Sequence, residues 1–187
     1  MLGVRGARSI ALGAAICGAA IWSVPGVGSS TPVGGGRTCA TSLSPLQSGR
    51  VASDAVVVGC WDTPQEAELA LGLSTVAAFA LEQPFAPAAV AAAQTLIGRD
   101  YSSTGYLGSQ QIWYANNSTG CSTGSVYAYV MPASFDNVTR SVQGSGGCNN
   151  NRHYDPPSAS GASILCAPNC SSMGTMAART SFVRWAP

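Results

Sequence analysis

Apolar residues run almost unbroken over 9–22, return as an Ala- and Leu-rich stretch over 65–81, and beyond residue 97 alternate with polar residues in short segments. These three patterns predict three kinds of segment. The first follows Arg5 and Arg8, contains no acidic residue and stops at Ser23 and Pro25. A positive start followed by a short apolar run is the build of an export signal, and the run falls short of the roughly 20 residues that a bilayer-spanning helix needs. A signal peptide is expected over 1–30, with cleavage within 25–32. Ile16 stands before Cys17 where a lipid-attachment site demands a small residue, so no lipid anchor is expected.

The next stretch, 31–53, begins with Gly34, Gly35 and Gly36 among Ser, Pro and Thr. It is expected to be a flexible lead-in, because such a composition buries too little apolar surface to offset its ordering entropy. Val56, Val57 and Val58 suit a short buried strand. Thr63, Pro64 and Glu66 then fall at the N-cap, N1 and N3 positions of a capping box, which predicts a helix over 65–81. Gly72 weakens the middle of that helix and Pro84 ends it. A second Ala-rich helical candidate covers 87–96. Together 54–96 reads as a strand and helical extension.

From 97 to 187 the chain is rich in aromatic, Ser, Thr, Gly and Asn residues, with turn formers every eight to twelve residues. Val126, Ala128 and Val130 alternate with Tyr127, Tyr129 and Met131, the period of a half-buried strand, and one of the two faces would expose the tyrosines. Similar strands are predicted at 110–114, 162–166 and 181–185. The fold class is mainly β, an antiparallel sandwich.

Charge and cysteine content narrow the function classes. Without Arg5 and Arg8 the chain carries seven arginines and eight carboxylates, and it has no lysine. Such a balance gives no field to steer toward nucleic acid or an anionic membrane, so neither is expected as a partner, and no membrane contact is expected after signal removal. Six cysteines remain beyond Cys17: Cys39, Cys60, Cys121, Cys148, Cys166 and Cys170. In an exported chain they predict disulfides. Zinc needs paired close thiolates or histidines, whereas this chain has one close pair, Cys166 and Cys170, and a lone His153. No metal or other cofactor is expected.

Two stretches of the β region repeat one another. Asp100-Tyr101, Tyr106-Leu107-Gly108, a strand, and then Asp136-Asn137-Val138-Thr139-Arg140-Ser141 form the first. Tyr154-Asp155, Gly161, a strand, and then Ala177-Ala178-Arg179-Thr180-Ser181-Phe182 form the second. This order resembles the paired Greek-key motifs of the βγ-crystallin superfamily, and in particular its secreted bacterial branch, which includes proteinase inhibitors. The likeness covers about 97–185, and more loosely the Cys60–Ala67 stretch upstream. It implies a sandwich of two Greek keys with an N-terminal helical extension. In that family calcium is held by N/D-N/D-x-x-S/T-S, a cluster of oxygen ligands. Asp136, Asn137, Ser141 and Ser181 keep those positions, while Arg140, Ala177, Ala178 and Phe182 depart from them, so the calcium motifs are degenerate. The resemblance also implies cross-links in place of ion clamps. Cys39 would pair with Cys60, and Cys121, Cys148, Cys166 and Cys170 among themselves in one of three connectivities.

Candidate chemistry is sparse. Gly120-Cys121-Ser122-Thr123-Gly124 matches the G-x-S-x-G elbow of serine hydrolases, but an alternating strand follows it instead of a helix. A hydrolase using Ser122 is the remote alternative. His153, the one possible base, reads as the exposed polar edge of a strand. Trp113 and Trp185 read as core aromatics, and the loops 115–124 and 142–151 as contact surfaces. The expectation is a secreted, extracellular, monomeric and non-catalytic module, with an extracellular protease as the partner that the resemblance implies. The competing expectation is a structural or cell-envelope-associated protein.

Overall fold

The computed structural model describes residues 36–71 and 94–187. The signal segment, the latter part of the 65–81 helix and most of the 87–96 candidate lie outside the described residues. The elements in order are β1 (Thr38–Leu43), β2 (Ala55–Trp61), α1 (Pro64–Ala70), β3 (Thr95–Ser103), β4 (Leu107–Ala115), β5 (Tyr127–Val130), β6 (Ser141–Gly144), β7 (Asn150–Asp155), β8 (Ala162–Cys166), a 3-10 turn at Gly174–Met176 and β9 (Phe182–Ala186). The protein is mainly β, built on a five-stranded sheet in the order β2-β1-β4-β3-β6 and a four-stranded sheet in the order β5-β9-β7-β8.

The two sequence repeats each supply a three-stranded unit of the same order, β4-β3-β6 and β8-β7-β9. Each also sends a segment to the other sheet. β5, from the first repeat, pairs antiparallel with β9, and Cys170, from the second, forms a bridge with Val142 of β6. The main core therefore draws on both repeats: Ile97, Trp113 and Val142 from the first sheet meet Tyr127, Val183 and Trp185 from the second. Gly98 makes room for this contact, since a Cβ there would lie 2.3 Å from the Trp185 ring. Tyr127 is buried and Tyr129 packs edge-on against Trp113. Of this strand's two faces it is the tyrosine face that points inward, leaving Val130 exposed.

Three sequence expectations need correcting. Residues 38–43, expected within the flexible lead-in, form β1, which is buried at every position. Its hydrogen bonds go antiparallel to β2 and parallel to β4, so 38–61 extends the first sheet and is no separate arm. The Gly-rich composition upstream masked a short TCATSL segment whose strand character depends on a distant partner. β2, expected to be buried, is an edge strand with Val56 68% and Val57 64% exposed. Leu96 and Thr95, assigned to a second helix, begin β3; pairing with Tyr114 and Ala115 of β4 overrides helical propensity there.

The helix start forms as expected. Thr63 Oγ1 accepts from Glu66 N and Glu66 Oε2 accepts from Thr63 N, which satisfies two of the orphan donors at the helix N-terminus. Ala67 and Leu71 then cover the outer face of the first sheet over Ala40, Ile112 and Tyr114, and Glu68 reaches Arg99 of β3 at 3.1 Å. The second half of the central strand β4, from Gln111 to Ala115, is thereby buried on both faces. Burial raises the ionisation of the Tyr114 phenol above its ordinary range, and its hydroxyl has no hydrogen-bond partner among the described residues. The unfolded chain would ionise first as pH passes about 10, binding fewer protons than the folded chain, so stability is expected to fall with rising pH from there. Tyr114→Phe should flatten that alkaline loss in urea titrations while leaving neutral-pH stability equal or higher. Tyr101, shifted upward chiefly by burial as well, would keep part of the slope.

Candidate functional site

The two loops singled out in the sequence as 115–124 and 142–151 are shorter than expected, because Ala115 closes β4, 142–144 belong to β6 and 150–151 to β7; what remains, 116–124 and 145–149, forms one platform. Cys121 and Cys148 join them in a disulfide, and Cys121 N also donates to Gly146 O at 2.8 Å. Gly147 lies so close to Ser122 that a Cβ there would meet Ser122 Oγ at 2.4 Å, at a φ of +75 that itself favours glycine. Asn117 organises the inside of the first loop. Its Oδ1 accepts from Thr119 N and Gly120 N, and its Nδ2 donates to the Tyr127 hydroxyl at 2.8 Å. That hydroxyl donates in turn to Gly120 O. Asn117 is the organising residue of this loop, which the sequence reading did not single out; its short side chain, followed two residues on by a turn, is the Asx-turn signal that would have found it. Ser118, Thr119, Ser122 and Thr123 are left exposed on the platform. Two further disulfides, Cys39–Cys60 and Cys166–Cys170, lie elsewhere in the fold. Three such bonds fit an oxidising, extracellular compartment. Among the described residues no helix is long and apolar enough to cross a membrane.

The four degenerate calcium positions do not share one site. Asn137 and Ala178 both adopt left-handed backbone, with φ 56 and 57. They donate crosswise, Asn137 N to Thr180 O and Ala178 N to Thr139 O. Across this local two-fold arrangement Ser181 Oγ donates to Asp136 Oδ1 at 2.6 Å and lies 3.4 Å from Asn137 Oδ1. The oxygens that survive thus come together from both repeats, whereas the equivalent corner holds Ala177, Ala178 and Arg140. Ser141 stands apart: its hydroxyl accepts from Tyr106 N and donates to Ser103 O, clasping the turn between β3 and β4. One carboxylate, one amide oxygen and one hydroxyl are fewer than the six to eight oxygens calcium takes, and among the described residues no three His, Cys, Asp or Glu side chains cluster. Micromolar calcium is therefore expected to leave the melting temperature unchanged, as a calorimetric scan with and without chelator would show.

The hydrolase elbow is not assembled as such. Ser122 lies on the exposed platform in a turn that leads into β5. His153, expected at an exposed strand edge, is fully buried in the core. It sits on the inward face of β7, where Nε2 lies 2.7 Å from Asp100 Oδ1 of the opposite sheet and the ring packs edge-on to Trp185. Trp113 Nε1 donates to the other carboxylate oxygen at 2.5 Å. This buried Asp–His–Trp cluster joins the sheets; sequence reasoning missed it because strand alternation alone does not say which face of a two-sided polar strand turns inward. No protein-family model, curated protein or solved structure matches this chain.

Proposed function

We propose that this protein is a secreted, non-catalytic, βγ-crystallin-like module that presents a rigid loop platform to an extracellular protein, a protease in the sharpest form of the reading. The exchange of one segment between two like-ordered sheets supports the paired Greek-key reading. The observation that carries the function is the Cys121–Cys148 union of the two contact loops. A surface already held in one conformation loses little entropy on binding, which is how rigid inhibitors gain affinity. Incubating the exported protein with serine and metalloproteases tests this. The expected result is a slowing of at least one protease at micromolar protein, lost in the Cys121→Ala/Cys148→Ala double variant. If no protease is slowed, the inhibitor reading fails.

One observation favours a second reading, a structural or envelope-associated role. Ser122 N bonds Thr119 O, and Gly124 N bonds Cys121 O, so the exposed tip is turned, whereas peptides that add a strand to a partner's sheet edge do so in extended form. A deletion strain with altered surface properties and unchanged protease activity in its medium would support that role.

A further inference from the structure

The outer side of the four-stranded sheet carries a second, separate feature. The connection between β1 and β2 crosses to this sheet and covers the free edge of β5: Leu46 N donates to Val126 O, Ser53 N to Ala128 O, and Ala128 N to Ser53 Oγ. Between that connection, the sheet and the β7–β8 turn lies a cleft of about 330 Å³. Its walls are Leu46 and Val51 from the connection, Val130 and Phe182 from the sheet, and Pro157 and Ala159 from the turn. Val51 is 83% and Val130 43% exposed, so the cleft leaves apolar surface in water.

Arg184 lines the same cleft and stands directly opposite Arg152 on the neighbouring strand. Like charges placed opposite one another on one sheet face repel. Neither guanidinium has a carboxylate partner among the described residues; Arg152 donates to the Ser163 hydroxyl. Arg50, at the other rim, is already answered by Asp54 at 3.0 Å. An apolar cleft beside an unanswered pair of cations calls for an occupant with an apolar body and one anionic head. Strand addition by a peptide is closed here, because the β1–β2 connection already occupies the edge of β5, and the unanswered arginines favour an anionic head over a neutral apolar segment.

We propose that this cleft binds a single-chain amphiphile with a carboxylate head, of the fatty-acid class, with its chain over Val51 and Val130 and its carboxylate on Arg184. The test uses decanoate below its micelle concentration, with decanol as a neutral probe of the same chain length, followed by amide chemical shifts of the whole chain. Saturable shifts are expected at Ala128, Val130 and Ser158. Decanol should bind about tenfold or more weakly, and Arg184→Gln should reduce decanoate affinity by a similar factor, as loss of a charge-assisted contact predicts. Val130→Glu, at an exposed position, should abolish decanoate binding and provides a second variant should Arg184→Gln fail to fold. Equal affinity for the two probes, absence of saturable shifts, shifts confined to other surfaces, or displacement of decanoate by an apolar peptide at lower concentration would each overturn the proposal.

Discussion

Asp100→Ala is expected to destabilise the protein by about 2–5 kcal/mol, a fall of roughly 10 °C in melting temperature for a domain of this size. Both carboxylate oxygens are in use, one toward His153 and one toward Trp113, and both partners are fully buried. Removing the carboxylate leaves two buried nitrogens without an acceptor, each bearing its full desolvation cost. Asp100→Asn, which keeps an oxygen for one of them, should cost distinctly less. The contact also joins β3 to β7, one strand from each sheet, so the loss should appear as weakened sheet-to-sheet packing. A double-mutant cycle with His153→Ala checks this: an interaction energy near zero would show that the two side chains are independent.

Removing the Cys121–Cys148 bond as Cys121→Ala/Cys148→Ala is expected to cost about 3.5 kcal/mol on the chain-entropy account, since the bond spans 27 residues. The same account orders the three bonds. Cys39–Cys60, spanning 21 residues, should follow closely, and Cys166–Cys170, spanning 4, should contribute about 2 kcal/mol. Urea midpoints of the three double variants test that order. The platform adds a local signature: amides of 116–124 and 144–148 should lose hydrogen-exchange protection in the Cys121/Cys148 variant before the rest of the sandwich does. If those amides stay protected, the Asn117 network and the Cys121–Gly146 hydrogen bond hold the loops without the sulfur bond. Rigidity of the contact surface would then not depend on oxidation.

Together the two variants separate different parts of the molecule. The Asp100 cluster holds the sheets face to face, and the Cys121–Cys148 disulfide, itself buried in the main core, ties down the two loops above it. A protein that retains the first and loses the second should remain folded while losing whatever depends on a preset loop shape. Loss of binding with retained fold would tie function to the platform; loss of both together would make the platform part of the fold's stability.

What could be read from the sequence is local chemistry. The capping box of Thr63 and Glu66 works through neighbours three residues apart, so its outcome was present in the residue order. The alternation at 126–131 likewise announced a strand, and the run of turn formers announced the loops. The even cysteine set announced cross-links, and the left-handed φ of 82 and 84 at Gly108 and Gly161 is a conformation that glycine admits most readily. What the tertiary structure decided is everything that depends on which distant segment lies alongside. β1 is a strand because β4 and β2 supply its hydrogen bonds, and β2 is exposed because among the described strands it has a neighbour on one side only. Tyr127 turns inward and His153 is buried because a second sheet closes over their faces. Asp136 meets Ser181 only once the two repeats have folded together, and Arg152 faces Arg184 only once β9 has paired with β7. Periodicity records that a strand has two faces, but the free energy of burial is collected between segments far apart in the chain, and it is that long-range pairing which selects the face turned toward the core.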